Sequence, residues 1–170
     1  LFGNVQLSNG DVMKSVNTLG MILGVGMIAA LGSAPEAYAG VYSNHHGSIC
    51  HNSFAGADTS LNHMANGTQN PTTGIAYATC PLVRATTNTY GALAYLDIYN
   101  AISGTTQCTF LSYDYNGTLL GSTSASWTGT GYYRFGLSLG SGKSTATSNY
   151  SVVCTIPSNG NILDIDLYEY

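Results

Sequence analysis

Charge is the scarcest ingredient of this chain: four basic and eight acidic residues stand among 170, a formal net charge of −4. A surface for nucleic acid or for anionic lipid needs a dense basic patch. After position 39 the only basic residues are Arg84, Arg134 and Lys143, against Asp58, Asp97, Asp114, Asp164, Asp166 and Glu169. Nucleic acid is therefore excluded as a partner, and so is electrostatic membrane binding.

Long apolar runs are also missing. The longest, Leu19 to Gly32, falls short of the roughly 20 residues that span a bilayer. Preceded by Met13-Lys14, interrupted by Pro35 and followed by Ala37-Tyr38-Ala39, it has the order of a bacterial-type export signal: a positive start, an apolar stretch and small residues at a cleavage point. Residues 13–39 are expected to be that signal and Gly40 the first mature residue, with no stable membrane insertion after cleavage. Residues 1–12 precede the first methionine and read as upstream sequence outside the domain. The expected location is secreted or periplasmic, with residues 40–170 forming a single domain.

Helical periodicity is absent after Ala39, and so is any histidine after His63. These two absences remove a tempting chemistry. Gly136-Leu137-Ser138-Leu139-Gly140 matches a nucleophile elbow, which needs a strand turning into a helix and a later histidine. Gly142-Lys143-Ser144 lacks the upstream glycine and the following helix of a phosphate loop. Cys50-His51 lacks the first cysteine of a haem attachment site, since position 47 is Gly.

What the chain does contain is Ser, Thr, Asn, Gly and Tyr, a composition that suits strands and an uncharged extracellular surface. Four cysteines, Cys50, Cys80, Cys108 and Cys154, follow the export signal, and an even number in an oxidising compartment reads as two disulfides. Of the three connectivities, Cys50–Cys80 with Cys108–Cys154 is favoured, because the last two sit in alternating strands that can be neighbours.

Period-two alternation dominates from residue 91 onward. Ala92, Ala94, Leu96 and Ile98 share one face, with Leu93, Tyr95, Asp97 and Tyr99 on the other. A strand over Gln107–Tyr115 stops at Asn116-Gly117, which suits a type I′ turn with positive φ at both central residues. Tyr132–Leu139 sets Tyr133, Phe135, Leu137 and Leu139 against Tyr132, Arg134, Gly136 and Ser138. Tyr150–Ile156 and Ile162–Glu169, joined through Pro157-Ser158-Asn159-Gly160, read as a terminal hairpin with Leu163, Ile165 and Leu167 facing inward. Gly74–Arg84 reads as a strand interrupted at Pro81, hence at an edge or bulge. The expected fold is all-β: an antiparallel two-sheet sandwich, jelly-roll-like or immunoglobulin-like, of seven to nine short strands.

Three segments, Cys80-Pro81-Leu82-Val83-Arg84, Tyr150-Ser151-Val152-Val153-Cys154-Thr155-Ile156-Pro157 and Ile165-Asp166-Leu167-Tyr168-Glu169, resemble a loose group of small secreted bacterial β-sandwich proteins. The resemblance implies the sandwich, brings no known activity and supplies no catalytic residue.

Candidate sites follow from what faces outward. Tyr95, Tyr99, Tyr113, Tyr115, Trp127, Tyr132 and Tyr168 exceed what a small core holds, and aromatic faces beside Asn, Asp and Thr can stack on sugars or fill a protein interface. His45, His46, His51 and His63, with Asp58 nearby, are the candidate metal set, since imidazole suits zinc or copper. Asp164 and Asp166 share one strand face about 7 Å apart, a spacing compatible with calcium or with glycosidase-like acid/base work. The leading expectation is an exported, non-catalytic module without cofactor that binds a carbohydrate, another extracellular surface component or a protein partner. The alternatives are a zinc or copper protein or small metalloenzyme built on the histidines, and a subunit of an extracellular filament or coat.

Overall fold

Strands hold about two-thirds of the described residues. A computed structural model describes residues 40–53, 61–87 and 89–170; the expected upstream segment 1–12, the signal 13–39 and Asp58 lie outside the described residues. In chain order the strands are β1 (Val41–His46), β2 (His51–Asn52), β3 (Asn62–Met64), β4 (Gly67–Gln69), β5 (Ala76–Leu82), β6 (Ala92–Tyr113), β7 (Leu119–Leu139), β8 (Asn149–Ile156) and β9 (Gly160–Glu169), with one 3-10 turn over Gly47–Ile49. Every pairing is antiparallel.

The all-β expectation holds, and the way its two layers are joined is the informative part. β6 and β7 are not short: they run 22 and 21 residues and pair along almost their whole length. On its other edge β6 serves two partners, β9 over Ala92–Asn100 and β8 over Gln107–Tyr113. Two wings therefore hang from one hairpin. The first holds β9 with β1, β4 and β3 beyond it, and the second holds β8, β5 and β2. Even-numbered residues of β6 are buried in both halves, and the curled sheet gathers Leu96, Ile98, Phe110, Leu137, Val152, Ile156 and Ile165 into one apolar core.

The crease between the halves falls where β6 and β7 lose register, between Asn100 and Gly104. Asn100 is fully buried there: its Nδ2 donates to the Gly104 carbonyl (3.1 Å) and the Gly129 carbonyl (3.4 Å), and its Oδ1 accepts from Thr106 Oγ1 (2.9 Å). Bending a strand leaves backbone groups without ladder partners, and a buried amide can supply both donor and acceptor. Gly104 is required by close approach, since a Cβ there would sit 2.6 Å from Pro157 Cβ.

β8 and β9 do not form the expected hairpin. They run in line along β6, separated by a jog at Pro157–Asn159 closed by Gly160 N–H to the Pro157 carbonyl (2.9 Å). Buried Asn70 holds this jog in place. Its N–H donates to the Gly160 carbonyl, its own carbonyl accepts from Asn159 N–H (both 2.9 Å), and its Nδ2 reaches the Ile156 carbonyl (2.9 Å). The turn residues were recognisable, but here they displace the strand rather than reverse it.

Two further local expectations are corrected. The 114–118 turn is not type I′, because of its residues only Gly117 has positive φ (82°). Gly117 N–H bonds the Asp114 carbonyl (3.1 Å), Asp114 N–H bonds the Thr118 carbonyl (2.9 Å), and Asp114 Oδ1 accepts from the N–H groups of Asn116 and Thr118. That is a three-residue loop with a left-handed glycine, chosen because Asp114 satisfies the inner amides. Leu163, expected in the core, is the extra residue of a bulge: Asp97 pairs with Asp164 while Ile98 pairs with Ile162.

Both disulfides form as expected, Cys50–Cys80 and Cys108–Cys154, with Cα separations of 4.0 and 4.1 Å. Cys108 and Cys154 face each other directly in the β6–β8 register. In the chain-entropy model, loops of 30 and 46 residues each contribute about 4 kcal/mol. Pro81 lies within β5, beyond the two residues that β2 covers, which is where a strand tolerates a missing donor. Glu169, only 1% exposed, is held by Arg84 Nε (2.7 Å) and by the N–H groups of Ala85 (2.6 Å) and Thr86 (3.1 Å). Arg84 also lies over the Tyr150 ring at 4.9 Å.

The crease should be the most sensitive polar position in the fold. Asn100→Ala leaves two carbonyls and a hydroxyl without their partner and is expected to lower the unfolding free energy by about 3 kcal/mol. Asn116→Ala in the exposed turn should cost under about 0.5 kcal/mol. Urea denaturation of both variants checks the contrast.

Candidate functional site

Antiparallel register decides which outward side chains meet. On the solvent face of the first wing the strands lie in the order β7, β6, β9, β1, and each row across them can be read directly. One row is Arg134, Asp97, Asp164 and His46; the next is Gly136, Tyr95, Asp166 and Asn44; the third is Ser138, Leu93, Tyr168 and Tyr42. Directly opposed residues sit about 5 Å apart at Cβ, with diagonal neighbours in reach of long side chains.

One guanidinium therefore stands among three carboxylates. Arg134 bonds Asp97 (3.4 Å) and, through Nη2, Asp166, and its plane lies over the Tyr95 ring at 5.0 Å. Gly136 leaves room for that ring, since a Cβ there would come within 3.1 Å of Tyr95 Cε1. Tyr42 donates to Asp166 Oδ1 (2.5 Å), while Asn44 Nδ2 donates to Asp166 (2.8 Å) and to Asp164. Asp164 keeps one oxygen, Oδ1, buried without a partner.

The environments push two of the carboxyls apart. Burial alone would raise Asp166, but the bonds from Tyr42, Asn44 and Arg134 outweigh it and hold the group below the usual carboxylate range. Asp97 goes the other way: burial raises it, Arg134 opposes, and the neighbouring Asp166 and Asp164 charges add to the rise.

Beside this cluster lies a recess of about 430 Å³, lined by Asp97, Ile98, Tyr132, Tyr133, Arg134, Leu163 and Asp164. The bulge at Leu163 aims that side chain into the recess instead of the core. Tyr132, 76% exposed, leans on Tyr99 with ring centroids 4.6 Å apart, and Tyr133 stacks on Trp127 at 5.1 Å with planes 6° from parallel. On the far side of Arg134 the rings of Tyr95, Tyr168 and Tyr42 form a second cluster, at 5.8 Å and 4.9 Å.

The predicted aromatic set is thus divided. Tyr132 lines the recess with Tyr99 against its ring, Tyr95 and Tyr168 flank the carboxylates, and Trp127 packs partly against the core. Tyr113 ends β6 and Tyr115 sits in the distal turn, away from both groups. Tyr42, Asn44 and Tyr133 were not among the predicted residues. Tyr42 and Asn44 arrive through the β1–β9 pairing, for which the sequence carries only a short alternating run. Tyr133 has inward parity but emerges where the core ends at the crease.

The histidines are dispersed. His45 and His46 lie on β1, His51 on β2 in the other wing, and His63 on β3. His45 contacts Ser43 (3.1 Å), His46 contacts Ser48 (2.8 Å) and His63 contacts Thr68 (3.2 Å). Among the described residues, the one group of three or more metal-capable side chains is Asp97, Asp164 and Asp166, whose ligand oxygens lie within 4.8 Å of one another. Hard oxygens suit calcium rather than zinc or copper, though Arg134 already supplies positive charge among them.

The opposed shifts give opposed pH signatures. Asp166, depressed in the folded state, contributes stability present above its unfolded pKa and lost as pH falls through its folded pKa. Asp166→Asn should therefore cost about 2 kcal/mol at pH 7, a gap to the native protein that closes at low pH. Asp97, raised in the folded state, is costly when charged, so Asp97→Asn should give a smaller gain at pH 7 that shrinks as pH falls through the raised pKa and is gone below the unfolded one. Thermal unfolding of the three proteins between pH 2 and 8 reads both trends.

No protein-family model matches the chain, and neither does any curated protein. Among solved structures it is similar to the C-terminal CBM6 of LamC, a marine laminarinase from Zobellia galactanivorans, with a TM-score of 0.45 and 13% identity over 76% of this chain and 100% of that one. It is also similar to the xylan-binding module CBM15, with a TM-score of 0.45 and 10% identity over 76% and 97% of the two chains. A third similar structure is the mannan-recognising module TmCBM27, with a TM-score of 0.41 and 14% identity over 76% and 99%.

Proposed function

We propose that this chain is an exported, non-catalytic module that binds a carbohydrate in the recess between Tyr132 and the Asp97–Arg134–Asp164 row. The observation that carries the reading is the exposed Tyr132 ring, backed by Tyr99, at the border of a recess whose apolar lining (Ile98, Leu163) adjoins two carboxylates and a guanidinium. A sugar ring presents an apolar C–H face and a rim of hydroxyls. A tyrosine platform can cover the first, while Asp97, Asp164 and Arg134 accept from and donate to the second. Asp166 supports binding rather than acid/base work, because Tyr42, Asn44 and Arg134 already occupy it and stabilise it as a fixed anion.

Export fits the same reading. Two disulfides suit an oxidising compartment. Expressed in a bacterial host, the protein is expected in the periplasm or medium with Gly40 as its first residue, which N-terminal sequencing determines.

On a broad glycan array the oxidised protein should bind a restricted set of oligosaccharides. Tyr132→Ala should weaken that binding by about tenfold or more, in the range of a central aromatic anchor, while Tyr115→Ala at the distal turn should leave it unchanged. A blank array, or unchanged affinity in the Tyr132→Ala protein, would overturn the assignment.

A further inference from the structure

A sheet edge is a row of unmade hydrogen bonds, and β-proteins ordinarily blunt it with short strands, charge or proline. Three of the edges here follow that rule: β1 has six residues, β2 two and β3 three. β7 does not. It is 21 residues long, and among the described residues its only strand partner is β6. From Leu119 to Tyr133 it contains no charged residue and no proline.

The half of β7 before the crease is also self-complementary. Its outward residues Ser122, Ser124, Ser126 and Thr128 are exposed hydroxyls, and two of them already bond across to β6, Ser124 to Thr109 (2.8 Å) and Thr128 to Thr105 (2.7 Å). An antiparallel copy placed about a two-fold axis at Ser124 sets Ser122 opposite Ser126 of the other copy. On the inward side it sets Thr123 opposite Ala125 and Gly121 opposite Trp127. The central serines face serines, Thr128 meets Leu120, Gly121 meets the larger Trp127, and no like charges meet. The Lys143 side chain lies against Gly121 at one end of this stretch.

From these observations we infer that the 120–128 edge of β7 pairs with the same edge of a second copy, forming a closed two-fold dimer with a continuous sheet. A two-fold contact uses one patch on both copies and is satisfied when the pair forms, so it yields a dimer and not a fibre. The recess lies on the other half of the hairpin, beyond the crease, and stays open in both copies.

The test is the solution mass of the oxidised protein by light scattering across micromolar to submillimolar concentrations. Twice the chain mass is expected, and a monomer throughout would overturn the proposal. Ser122→Asp combined with Ser126→Asp opposes carboxylates at both symmetric pairs and should return the protein to a monomer. Ser122→Lys combined with Ser126→Asp opposes opposite charges at the same pairs and should restore the dimer. A dimer that survives the first combination, or fails to return with the second, would show that the copies do not meet along this edge in this register.

Discussion

The structure depends on one buried amide placed where a strand must bend. β6 can serve as the spine of both wings only if it turns at Asn100–Gly104, and a turn in a central strand strands backbone groups in an apolar interior. Asn100 absorbs that demand with one side chain, and Asn70 does the corresponding work at the jog between β8 and β9. Both residues are fully buried, so each bond replaces water that is not there. The core is single because the sheet is creased, and the sheet is creased because these amides make the crease affordable.

The candidate site inherits its geometry from the same arrangement. Pairing β9 with the first half of β6 sets Asp164 beside Asp97 and Asp166 beside Tyr95, and the bulge at Leu163 opens the recess next to them. Arg134 then reads as the organiser of the face. It is the single cation in these rows, and it ties β7 to β6 and β9 through Asp97 and Asp166. Carboxyls only a few ångströms apart are shifted in opposite directions by what surrounds them, Asp166 downward by donors and Asp97 upward by burial.

Much of this is legible in the sequence. Period-two parity sent Leu96 and Ile98 inward and Tyr95, Asp97, Arg134, Asp164 and Asp166 outward, because half-buried strands leave no other choice. Cysteine count and strand pattern pointed to the disulfide pairing that forms. Pattern is blind to which strands are neighbours, however, so the meeting of Arg134 with three carboxylates, and the arrival of Tyr42 and Asn44, had no signature. Composition also misleads at turns. Asn116-Gly117 and Pro157–Gly160 are both turn sequences, yet the geometry of each was set by a partner elsewhere, Asp114 in one case and Asn70 in the other. Leu163 shows the same limit: one inserted residue inverts parity, and nothing in the alternation announces it.

The shared spine also has a kinetic meaning. Residues 92–113 find their second set of partners only at 149–169, so neither wing can close until the last part of the described chain is available. Such non-local pairing makes folding slow relative to the formation of the β6–β7 hairpin itself. During that interval the hairpin exists as a long, nearly uncharged ribbon with both edges bare. The pairing of Cys108 with Cys154, which face each other across β6 and β8, then fastens one bare edge of that ribbon covalently.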